Sequence, residues 1–226
     1  MRPDQQLARL TGLLYLLIIL CAGFAQGYVR GTLWIPGDAE ATIQHIAAAE
    51  GLFRLGLVAD LLAFLADLAV AVLLFQLLRH VDLTLSLMAA AFRLVAHPAI
   101  GSLNLLNHYL VLEVLQEAGQ GVFADAAQGV HFLLTAHQYG YLLAGAFFGI
   151  HCLLLGILLY RSERFPRLLG ILLGLSALGY LLESFGDLLV PGYEATLAMI
   201  VGLTAAIGEV SLALYLVVKG LRSPNS

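Results

Sequence analysis

Charge is what this sequence has little of. Only 12% of its 226 residues are charged, about half the share usual in a soluble domain. That scarcity argues against a soluble globular domain. The formal net charge of -4 is mild and leaves no basic footprint for nucleic acid. Cysteine is scarce as well. Cys21 and Cys152 both lie inside apolar runs, without CxxC or metal spacing, and read as buried thiols. There is no HExxH pair, no solenoid-type repeat and no low-complexity tract. What remains is apolar: 61% of residues are hydrophobic and the mean hydropathy is +0.91. Long apolar runs with few charges point to a bilayer.

The hydropathy predicts an all-α, polytopic membrane protein built as one bundle domain over residues 1–226. Six spans fall at about 8–28, 52–78, 84–112, 137–160, 167–190 and 195–218, each long enough for a core of about 20 residues. The first run, LLYLLIILCAGFA, follows Arg2 and Arg9 and could be taken for a signal peptide. It continues towards Tyr28 and similar runs follow, so it reads as a retained span. Residues 29–50 predict a loop with a short interfacial helix. A second short helix is expected in the outer segment 113–136, around Phe123 to Thr135. Pro166 suits a helix start and Pro191-Gly192 a helix end.

Basic residues alternate along the chain. Arg2, Arg9, Arg79, Arg161, Arg164, Arg167, Lys219 and Arg222 fall at the termini or in even-numbered loops, whereas Arg30 is expected in the first loop. Excess basic charge marks the cytoplasmic side. The expectation is a bacterial cytoplasmic-membrane protein with both termini in the cytoplasm. Acids such as Asp38, Glu40, Glu117, Asp125 and Glu194 gather on the other side.

Charge inside the spans is the informative exception, since a midplane charge costs about 2.5–3.5 kcal/mol on insertion scales. Asp60 and Asp67, seven residues apart, share one face of span two. Span three answers with Arg93, His97, Asn104 and His108 at helical spacing. Pro98 should kink that span by freeing the carbonyl of Leu94. Spans four to six carry His137, Tyr141 and His151, then Ser176, Tyr180, Glu183, Ser184 and Asp187, then Glu209. Asp67, His97, His151 and Glu209 should lie near mid-depth. Asp60, Asn104, His108, His137 and Glu183 should lie nearer the outer face.

Asp67 and Arg93 read as a structural ion pair, because buried ions need partners. Asp60, Asn104, His108, His151, Glu183 and Glu209 read as a ligand or proton pocket, with Asp60 beyond reach of Arg93. Tyr180, Asn104 and Ser184 also fit interhelical hydrogen bonding. His108, His131 and His137, near an interface, are expected to be solvated.

At FFGIHCLLLGILLYRS and FPRLLGILLGLSALGYLLESF the chain resembles a bacterial multi-pass membrane family, the domain-of-unknown-function family four-three-eight-six. GLFRLGLVADLL, AAFRLV, LNLLN and IGEVSLALYLVVKG extend the likeness over nearly the whole chain. The resemblance carries over Arg54, Asp60, Asp67, Arg93, Asn104, Asn107, His151 and Glu209 as family positions. It does not extend to His97, and it implies no reaction.

Three functions compete. The first is binding or transport of a small or amphiphilic molecule, with a proton link through buried carboxylates and histidine. Its partners would be membrane lipids and that ligand, and a homodimer would offset the small number of spans. The second is an intramembrane zinc enzyme using His97, His151, Asp67 and Glu209, against which Arg93 would repel a cation. The third is a haem protein with His97 and His151, or His108 and His137, as axial ligands. The expected cofactor complement is none.

Overall fold

A computed structural model describes residues 3–116, 123 and 125–222. Seven helices account for nearly all of them, and no strand occurs among the described residues. Six are long and apolar enough to cross a membrane: α1 (Asp4–Leu33), α3 (Glu50–Leu78), α4 (Leu83–Gln116), α5 (Ala126–Arg161), α6 (Arg167–Leu189) and α7 (Glu194–Val218). The short α2 (Ala39–Ala48) lies between α1 and α3.

Capping chemistry sets the helix starts. Asp38, Asp82 and Asp125 each accept a hydrogen bond from a first-turn amide of α2, α4 and α5, which satisfies donors the helix leaves open. Pro166 precedes α6. Gly37 and Gly192 turn the chain before α2 and after α6 with positive φ, a region glycine enters without steric cost.

The helices run past the limits that hydropathy marks. α1 continues to Leu33, so Arg30 is helical rather than part of a loop. Residues 126–135 are helical as expected, but they join span four in one 36-residue helix. Glu117, with residues 118–122 and 124 of the outer segment, lies outside the described residues.

The six long helices form a closed ring in chain order. Each packs against the next, and α7 returns to α1. The outer surface carries leucines such as Leu20, Leu65, Leu103, Leu178 and Leu203, as a lipid-facing surface requires. Small residues bring the backbones together. A Cβ on Gly156 of α5 would lie 2.8 Å from the carbonyl oxygen of Gly170 on α6, so this crossing depends on glycine. Inside, one apolar cluster includes Val70, Leu74, Leu158, Leu173 and Leu216. A second, towards the other end, includes Val29, Ile46, Phe53, Val111 and Leu134. The polar side chains lie between and around these clusters.

Candidate functional site

Two π-helical segments interrupt the long helices: Gly23–Arg30 in α1 and Val95–Gly101 in α4. In α4 the cause is Pro98, which lacks an N–H and clashes with the carbonyl one turn back. A wider turn absorbs the misfit, and such turns re-aim side chains. Each segment supplies a partner for one aspartate of α3. Arg30 meets Asp60, and His97 meets Asp67. The aspartates are seven residues apart, so two polar layers form about 10 Å apart along the helix.

The inner layer centres on Arg93, which is fully buried. Its Nε and Nη2 donate to Asp67 Oδ1 at 2.9 and 2.5 Å. Asp67 Oδ2 faces His97 Nδ1 at 3.0 Å. A carboxylate only accepts, so that nitrogen carries a proton. Arg93 Nη1 donates to Tyr15 Oη at 3.2 Å and to His151 Nε2 at 3.0 Å. Guanidinium nitrogens only donate, so His151 Nε2 is bare. The proton of His151 therefore sits on Nδ1, which donates to Ala89 O at 2.8 Å. The guanidinium also lies over the rings of Tyr15 and Phe148, at 4.5 and 5.1 Å, a favourable seat for a desolvated cation. Beyond it, Glu209 accepts from Tyr15 Oη at 2.9 Å and from Tyr180 Oη at 2.8 Å. All six long helices thus contribute to one network: Tyr15, Asp67, Arg93 with His97, His151, Tyr180 and Glu209.

The outer layer is built on Asp60, also fully buried. Arg30 donates to both of its oxygens, at 2.6 and 3.3 Å. Tyr141 Oη donates to Asp60 Oδ1 at 3.4 Å. Alongside, Asn104 Nδ2 donates to His137 O at 2.7 Å, and His137 Nδ1 donates back to Asn104 O at 3.1 Å. Asn107 donates to Asn104 Oδ1. The ring of His108 stacks on that of His137, with centroids 3.6 Å apart. Both histidines are buried rather than solvated. With its proton on Nδ1, His137 has a bare Nε2, and that atom has no hydrogen-bond partner among the described residues.

Phe64 separates the layers. It sits on α3 between Asp60 and Asp67, with its ring 6.0 Å from that of His97 and 6.4 Å from that of Tyr141. Gly101 makes room for it, since a Cβ there would fall 2.9 Å from the Phe64 ring.

The expected pocket set is thus divided. His151 and Glu209 join Asp67 and Arg93 in the inner layer. Asp60, Asn104 and His108 belong to the outer layer, but the partner of Asp60 is Arg30. Glu183 is not brought to Asp60; it lies half-buried on α6, one turn from Asp187. Asn104 and Ser184 do tie helices together, the latter through Leu142 O. Tyr180 instead serves Glu209. Arg54 pairs with Glu50 on an exposed face. His97, His151, Asp67 and Glu209 gather around Arg93, but both ring nitrogens of His151 are already engaged. Among the described residues no group of three or more His, Cys, Asp or Glu side chains is placed to hold a metal ion. The rings of His108 and His137 are in direct contact, rather than on either side of an iron.

Sequence reasoning missed Arg30 and Tyr15. For Arg30 a signal existed: the apolar run continues to Val29, and Asp60 needs a cation. Tyr15 carries no periodicity that separates it from the surrounding leucines.

Residues 10–220 match the model of a family described as Domain of unknown function (DUF4386). A curated protein of Archaeoglobus fulgidus, described as an uncharacterized protein, is 31% identical over 162 residues, which is 70% of this chain and 80% of that protein. The likeness therefore reaches beyond bacteria. No solved structure matches the chain.

Proposed function

We propose that this chain, which belongs to the DUF4386 family, is a proton-linked membrane protein that binds or transports a small or amphiphilic molecule. One observation carries this reading. The inner layer holds two carboxylates, Asp67 and Glu209, but a single guanidinium, Arg93. Charge left unbalanced away from water is costly. One proton makes the layer neutral, and two groups in the network can hold it: Glu209, or His97 against Asp67. A purely structural pair of Asp67 and Arg93 would need neither.

The outer layer suits the ligand. His137 Nε2 is an acceptor in want of a donor, beside the His108 ring and the Arg30–Asp60 pair. Phe64 stands between that acceptor and the proton-bearing layer, so a movement of α4 at its π segment would alter both. On the distribution of basic residues, both termini face the cytoplasm and the outer layer faces the opposite side.

The test is a proton count. Purified protein in detergent is titrated through neutral pH beside a double variant, His97→Gln with Glu209→Gln. Wild type should take up one more proton than the variant. Equal uptake by two folded proteins would refute the proton link.

A further inference from the structure

At the end of the bundle where α1 begins and α7 ends, three segments meet. α5 ends at Arg161, α6 begins at Arg167, and the C-terminal tail folds back beside them. The tail is tied down by backbone and side chain. Arg222 N donates to Arg164 O at 3.0 Å. Gln5 donates to Lys219 O at 2.7 Å and accepts from Leu221 N at 2.9 Å. Gly220, with φ +69°, makes the turn between them. These contacts hold open a groove of about 630 Å³, lined by Tyr160, Arg161, Glu163, Phe165, Arg167 and Arg222 among others.

The groove is strongly cationic for its size. It holds three guanidinium groups against one carboxylate. Arg161, Arg167 and Arg222 form no ion pair among the described residues, whereas neighbouring Arg164 is paired with Asp4 at 3.1 Å. Arg167 lies over the Tyr160 ring at 5.6 Å, which holds it near the groove. Phe165 is buried beneath. Leu168, the next residue of α6, is largely exposed on the outer surface of the bundle. Ordinary topology would be served by basic residues scattered around the rim. Here arginines from three separate chain segments converge on one concavity, next to an apolar, lipid-facing surface.

We propose that this groove is a binding site for a phosphate-bearing anion. Planar guanidinium forks match phosphate oxygens in pairs. Three of them, opposed by one carboxylate, suit a group of one to two negative charges. The neighbouring apolar surface makes the headgroup of an anionic phospholipid the favoured source, and a soluble organic phosphate is the other source of the same chemistry. Occupied, the site would staple the tail to the α5–α6 connection.

Native mass spectrometry of protein from mixed phosphatidylglycerol and phosphatidylcholine micelles tests the lipid source. Thermal stability of delipidated protein with and without inorganic pyrophosphate tests the soluble one. The variants are Arg161→Gln, Arg222→Gln and their combination, with Arg164→Gln as the control outside the groove. Each groove arginine removed should lower retained phosphatidylglycerol about fivefold, while Arg164→Gln should change nothing. Stabilisation by pyrophosphate without a lipid preference, lost in the same variants, would assign the site to a soluble phosphate. If the folded double variant matches wild type in both measurements, the groove binds no phosphate and the proposal fails. That outcome would leave the proton count of the inner layer untouched.

Discussion

Arg93 reaches Asp67 through two nitrogens, and both bonds end on the same oxygen, Oδ1. Oδ2 is left to His97. The aspartate is therefore shared between a permanent cation and a group that can gain or lose charge. Removing the guanidinium should leave that carboxylate buried without its main partner. Arg93→Ala is expected to destabilise by about 3–5 kcal/mol, read as a lowered unfolding midpoint in detergent. Adding Asp67→Ala should restore part of the loss. A double variant as unstable as the two single losses added together would show that the pair is not coupled.

Asp60 is paired as well, so it should not behave as a spare pocket carboxylate. Asp60→Asn and Arg30→Gln should each lower the unfolding midpoint, and together they should cost less than the sum. The loss should be smaller than at Arg93, because the Arg30 side chain is 12% exposed and that of Arg93 is 0%. An Asp60→Asn protein as stable as wild type would return Asp60 to an unpaired role.

The tautomer of His151 is fixed by its neighbours. Nitrogen-15 NMR of labelled protein in lipid should find the proton on Nδ1 and a bare Nε2. A proton on Nε2 would oppose the Arg93 N–H groups and contradict the inner layer as described.

Close approach of α5 and α6 depends on the absence of a side chain at Gly156. Gly156→Val should destabilise by about 1–3 kcal/mol or more through overpacking, since the obstacle is backbone. Gly174→Ala, where nothing lies within 4 Å of an added Cβ, should be tolerated. Equal effects at both positions, measured by thermal unfolding, would rule out the tight crossing.

Orientation can be read by cysteine labelling in intact cells, in a background with Cys21 and Cys152 replaced. Glu40→Cys, exposed at the start of α2, should react with an impermeant reagent from outside, and Glu163→Cys only after the membrane is opened. The reverse pattern would overturn the orientation proposed here.

The six spans were legible in the sequence because membrane insertion is close to a one-dimensional problem. Each span must bury its own backbone hydrogen bonds in about 20 apolar residues. The heptad step from Asp60 to Asp67 also follows from helix geometry alone, and Asp67 and Arg93 lie on spans adjacent in sequence. Helix ends were less legible. Apolar character fades before helical hydrogen bonding does, and so Arg30 read as part of a loop and residues 126–135 as a short helix separate from span four.

Only the tertiary structure decided the rest of the site. Tyr15 and Glu209 come from opposite ends of the chain, and they meet because α7 closes the ring against α1. That closure depends on which small residues let which helices touch, a three-dimensional matter of packing that no span encodes by itself. The partner of Asp60 was decided the same way, by the packing of α1 beside α3 and the π turn that aims Arg30. So was the stacking of His108 on His137, which requires Asn104 to clamp α4 to α5. Local sequence set which groups were costly in the membrane. Packing between distant spans set which of them satisfied one another.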